Sequence, residues 1–117
     1  MLPTITRDKG VEYISQKAQN RDPFPLYFPM TSPHSLIDPS KPFQGKSSIS
    51  IYADLLMETD FSVDHLLKAL FQQGISDNTI VIFTADNGTE SNRNVADFDG
   101  LKAKGVDLQN HWRGQKN

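Results

Sequence analysis

Asp86 and Asn87 stand side by side at the end of an apolar run and are followed by Gly88. A carboxylate next to an amide offers hard oxygen donors of the kind Ca²⁺ or Mg²⁺ takes. Asp, Asn and Gly are also favoured turn residues, so the triplet equally describes an ordinary turn. His34 lies in a proline-rich stretch after an aromatic run, placed to contact an anion or simply to face solvent. Lys116 follows Arg113 and Gly114 near the end of the chain. Two cations around a glycine can contact an oxyanion, Arg as a fork and Lys as a point charge. A frayed basic terminus reads the same way.

Strands and helices must carry these residues. Residues 80–83 are Ile-Val-Ile-Phe without alternation, which predicts a strand buried on both faces, as in a parallel sheet. Gly88 eases the turn that follows. Asp86 and Asn87 then sit beyond the carboxyl end of a central strand, where open α/β sheets place their ligands. A second strand is expected over residues 24–28, Phe-Pro-Leu-Tyr-Phe, with Pro25 at its start or on a bulge. His34 follows that strand at a similar remove.

Val11, Ile14 and Ala18 share one face at helical spacing and predict an amphipathic helix over about 7–19, stopped ahead of Pro23. Residues 35–46 read as a long polar loop. Ser47 or Ser48 is expected to cap a long helix whose core stripe is Tyr52, Leu55, Leu56, Thr59, Val63, Leu66, Leu67 and Leu70. Asp54, Glu58, Asp64 and Lys68 lie off that stripe, on a solvated back. Gly74 is placed to end the helix in the left-handed conformation. Residues 89–110 show no periodic element.

Strand, helix, strand makes a βαβ unit with a right-handed crossover and parallel strands. In that arrangement His34 and the Asp86-Asn87 pair open onto one edge of the sheet.

Composition narrows the classes. At 117 residues the chain is one small domain or part of a larger one. A net charge of −2 with both signs interspersed gives no nucleic-acid-binding surface. No cysteine is present, which excludes disulfides, thiolate metal sites and a cysteine nucleophile. No apolar run is long enough to span a bilayer. The first residues lack the basic and apolar regions of a signal peptide.

Four segments together carry a family resemblance: residues 23–34 (PFPLYFPMTSPH), 52–60 (YADLLMETD), 78–88 (NTIVIFTADNG) and 111–116 (HWRGQK). In order and spacing they resemble a sulfatase of the arylsulfatase type, within the alkaline-phosphatase-like superfamily, over nearly the whole chain. The resemblance implies a three-layer α/β fold of that type, here partial. It implies hydrolysis of sulfate esters, on a small molecule or a sulfated glycan. It also implies a divalent cation, usually Ca²⁺, and a formylglycine made from the Cys or Ser of a C/S-x-P-x-R motif. Carried over by motif, Asp86 and Asn87 match the second half of the metal site, while His34 and Lys116 match residues that contact the sulfate.

The sequence also departs from the pattern. It has no Cys, and Ser32-Pro33 lacks the nucleophile motif's spacing. The family's amino-terminal pair of acidic metal ligands has no counterpart, and Leu36 stands where many relatives have proline. Residues 1–117 are therefore expected to be a single partial catalytic domain, inactive by itself. A phosphodiesterase or phosphonate hydrolase of the same superfamily, or a non-catalytic α/β remnant, is the alternative reading.

Overall fold

Helix α1 spans Leu2–Asn20, starting earlier than the apolar spacing requires. Pro3 is tolerated there because the first turn of a helix has no intrahelical partners for its N–H groups. Left-handed Arg21 (φ 56°) closes α1 ahead of Pro23. The computed structural model describes residues 2–34, 37–88 and 98–106.

Helix α2 spans Ile51–Gln72. Its cap is Ser50, later than the expected Ser47 or Ser48. The extended Ser50 backbone turns its hydroxyl onto the Ala53 N–H at 3.1 Å. The far end is a Schellman motif built on Gly74 (φ 68°). The Gly74 N–H reaches the Phe71 carbonyl at 2.9 Å, and the Ile75 N–H reaches the Leu70 carbonyl at 3.1 Å. A 3₁₀ turn, Ser76–Asn78, follows.

Helices α1 and α2 pack on each other. Ile14 of α1 is buried against Ala69 and Leu70 of α2, with Val11, Leu66 and Ile75 around them. Gly10 is buried at the crossing, where an added Cβ would lie 2.7 Å from the Phe28 ring and 2.8 Å from Leu66. Arg7 stacks over the Phe61 ring at 5.4 Å, extending the contact toward the start of α1.

A third helix, α3, spans Phe98–Ala103 within the stretch expected to lack elements. Its Leu101 is buried against Tyr52 at the start of α2, with Ile37, Ile49 and Val106 alongside. Gly105 (φ 77°) ends α3 as Gly74 ends α2: the Gly105 and Val106 N–H groups return to the Lys102 and Leu101 carbonyls. A six-residue helix is under two turns long and leaves too little periodicity to be read from sequence.

The expected βαβ unit requires correction. No β-strand forms among the described residues. Residues 22–30 and 79–85 run without helix or ladder. The run expected to be buried on both faces is open to solvent, with Ile80 90% and Ile82 82% exposed. A strand's N–H and C=O groups need a neighbouring chain, and none of the described residues supplies one. Residues 24–28 lean on α1 instead. Phe24 meets Tyr13 edge-on at 5.8 Å, and the Tyr13 hydroxyl donates to the Pro25 carbonyl at 3.3 Å.

The α2 stripe needs a second correction. Tyr52, Leu55, Thr59 and Leu70 are buried as expected, but Leu56 and Leu67 are exposed. Asp54 and Glu58, assigned to the solvated back, are buried, and so is Ser62. Only Asp64 and Lys68 behave as that back should, pairing at 2.7 Å on the surface.

Candidate functional site

His34 stands at the end of the extended segment, exposed, with its N–H on the Thr31 carbonyl at 3.1 Å. The residues around it are tied to α2. The Ser32 hydroxyl hydrogen-bonds the Thr59 hydroxyl. Thr59 also donates to the Leu55 carbonyl one turn back, at 2.9 Å.

Downstream, the polar loop is laid along the same helix. Glu58 accepts the Ser40 N–H at 2.8 Å. Asp54 accepts the Gly45 and Ser47 N–H groups, both at 2.7 Å. Pro39 and Phe43 are buried beneath the loop, and the Phe43 ring meets Phe61 edge-on at 5.2 Å. The loop's turns use left-handed residues, Gly45 (φ 77°) and Ser48 (φ 56°). Those turns bring the Gly45 and Ser47 N–H groups onto the two oxygens of one carboxylate. That carboxylate is Asp54. The Ser47 hydroxyl, then the Ser47 and Gly45 N–H groups, hold its carboxyl below the usual value against the opposing effect of burial.

Asp86 and Asn87 lie on a bend after the exposed apolar run, both exposed. The Asn87 amide donates to the Gly88 carbonyl at 2.7 Å, which leaves its oxygen available. Among the described residues no three His, Cys, Asp or Glu side chains gather into a group that could hold a metal ion. Lys116 lies outside the described residues, as do His111 and Arg113. The shared sheet edge expected to bring His34 and Asp86 together does not form, because its two strands are not paired.

The feature that sequence reading missed is the buried pair Asp54 and Glu58. A signal was present: two acids at i, i+4, interleaved with the apolar positions and preceded by a Ser-rich loop that contains Gly45. Spacing alone cannot tell such a pair from a solvated helix back.

The Sulfatase family model matches residues 1–114. The chain is 36% identical over 87 residues to N-acetylgalactosamine-6-sulfatase of Homo sapiens, covering 74% of this chain and 16% of that protein. It is 39% identical over 77 residues to arylsulfatase A of Homo sapiens, covering 65% of this chain and 15% of that protein. It is 32% identical over 87 residues to N-acetylgalactosamine-6-O-sulfatase of Bacteroides thetaiotaomicron, covering 74% and 17%. The chain thus spans about a sixth of the length of these curated relatives. No solved structure matches it significantly. With three of the four motif segments and the start of the fourth in order inside a match that runs almost end to end, the chain belongs to the sulfatase family.

Proposed function

We propose that this chain carries part of the site of a sulfuric ester hydrolase, with His34 and Lys116 contacting the sulfate and Asp86 and Asn87 supplying metal ligands. The observation that carries the reading is the family match over residues 1–114, which contains His34, Asp86 and Asn87; Lys116 lies two residues beyond it. His34, Asp86 and Asn87 are all solvent-accessible, as groups that meet a substrate or an ion must be. The relatives named above are sulfatases, which favours sulfuryl over phosphoryl transfer. Two of them are named for a sulfated amino sugar, which supports a sulfated glycan as the substrate class.

The donor set fits a hard divalent cation in kind. Asp86 offers a carboxylate and Asn87 an amide oxygen, both exposed on one bend. In number they fall short of the six to eight oxygens that Ca²⁺ takes. Such a cation, when bound, supplies positive charge to the sulfate oxygens. The chain's own residues act on the same charge: the His34 imidazole as a hydrogen-bond donor and the Lys116 ammonium as a fixed positive charge. No residue fits the formylglycine motif, so no covalent step is assigned to this chain. The extended run 79–85 would act as a strand of the family's three-layer sheet once neighbouring strands flank it.

Two experiments test the reading. The 117-residue chain, assayed with an aryl sulfate, should show no turnover above background; multiple turnovers lost on His34→Ala would overturn the partial-site assignment. Substituting this chain for the matching segment of an arylsulfatase gives the second. There His34→Ala should lower kcat by about 10²-fold, the usual effect of removing one donor from a developing anion. A chimera with unchanged kcat after that substitution would sink the role given to His34.

A further inference from the structure

We propose that Glu58 is a positioning residue for His34: with Thr59 it pins both ends of the loop that carries the imidazole onto adjacent positions of α2. Thr59 holds Ser32 on the near side of His34, and Glu58 holds the Ser40 N–H at 2.8 Å on the far side. Because Glu58 and Thr59 are neighbours in sequence, the loop leaves and rejoins α2 at one place. Its two tied ends meet α2 one residue apart, as the ends of an Ω-loop do, and His34 between them is exposed. Asp54, one turn earlier, fixes the continuation through Gly45 and Ser47, both at 2.7 Å.

Packing alone does not account for Glu58. Its side chain is only 1% exposed, and its Oε1 has no hydrogen-bond partner among the described residues. An acid buried with one oxygen unmatched costs free energy that an apolar residue of similar size would not. What the acid does, and an apolar residue cannot, is bind the Ser40 N–H at a fixed point of the helix. Thr59 is similarly a β-branched polar residue in a helix interior, where its hydroxyl reaches Ser32. The functional meaning of this device rests on the reading of His34 given above. The device itself is read without substrate.

The test uses the 117-residue chain and nuclear magnetic resonance. Glu58→Leu fills the space but offers no acceptor, and Glu58→Gln keeps one. Leu should speed exchange of the Ser40 amide by about tenfold or more, as expected for a lost local tie. It should also move the His34 imidazole resonances toward their unstructured values, while the amides of Ile14 and Leu70 stay protected. Gln should restore both signals. Thr59→Val should disturb His34 from the other side and leave Ser40 protected. His34 resonances unchanged in Glu58→Leu, with Ser40 released, would overturn the proposal. So would a His34 change that Gln fails to rescue. Should Leu unfold the chain, the Gln and Thr59→Val arms still decide: no His34 change in Thr59→Val refutes the two-ended pin. Absence of sulfate-ester turnover affects none of these readouts, so failure of the sulfatase reading and failure of the pin are separable.

Discussion

At the scale of residues, two acids on α2 differ from their neighbours in what surrounds them. Asp64 pairs with Lys68 in solvent, an arrangement that contributes little to stability. Asp54 instead takes two backbone N–H groups that a loop brings to it. Hydrogen bonds to the ionised form favour it, so the folded carboxyl titrates below its unfolded value. A depressed folded pKa gives stability that is complete above the unfolded value of about 3.9 and is lost as pH falls through the folded pKa. Asp54→Asn should therefore lower the urea midpoint at neutral pH. The gap to the parent protein should narrow below about pH 4, where the parent's carboxylate is being protonated. A gap that stays constant down to acid pH would show that the charge of Asp54 is not what the loop responds to.

At the scale of elements, the α1–α2 crossing and the end of α2 each depend on a glycine, for different reasons. Gly10 lets α1 approach α2 and the Phe28 ring, and an added Cβ would lie within 3 Å of both neighbours. Gly10→Val should destabilise by about 1–3 kcal/mol, the cost of overpacking, even though valine is the better helix former. Shortening the neighbour in the same chain, Leu66→Ala, should make the effect of Val smaller than in the parent background. Gly74 faces open space, so its requirement is conformational. At φ 68° an alanine pays for the left-handed backbone, and Gly74→Ala should cost about 1–2 kcal/mol. Urea unfolding followed by circular dichroism measures both. A neutral Gly74→Ala would mean that the Schellman turn re-forms with another backbone.

At the scale of the whole molecule, the outstanding feature is an apolar extended run with no ladder partner among the described residues. Val81 and Phe83 are exposed along with Ile80 and Ile82, in a stretch without charge or proline. An extended, uncharged apolar run of this kind is a template for pairing with another chain. The chain should therefore associate as concentration rises in sedimentation velocity runs. Ile82→Lys should reduce that association, because a charge on an edge blocks pairing. A parent chain that stays monomeric at high concentration would show that the run is covered in solution. No helix among the described residues is long and apolar enough to cross a membrane.

Sequence by itself determined the features that depend on near neighbours. The two long helices follow from spacing, and Gly74 follows from the rule that glycine takes the left-handed residue after a helix. The family also was legible: residues 23–34, 52–60, 78–88 and 111–116 resemble a sulfatase in order and spacing, and the family model matches residues 1–114. Tertiary structure decided what depends on distant partners. Whether residues 24–28 and 79–84 become strands turns on ladder partners that spacing cannot supply, and among the described residues they have none. Whether Asp54 and Glu58 face solvent turns on where a loop's N–H groups arrive, and the loop brings them to the helix. Leu56 and Leu67 show the converse, apolar residues on the expected stripe that stay partly open to solvent. Periodicity ranks the faces of a helix by their solubility in water; which face is covered is set by the rest of the chain.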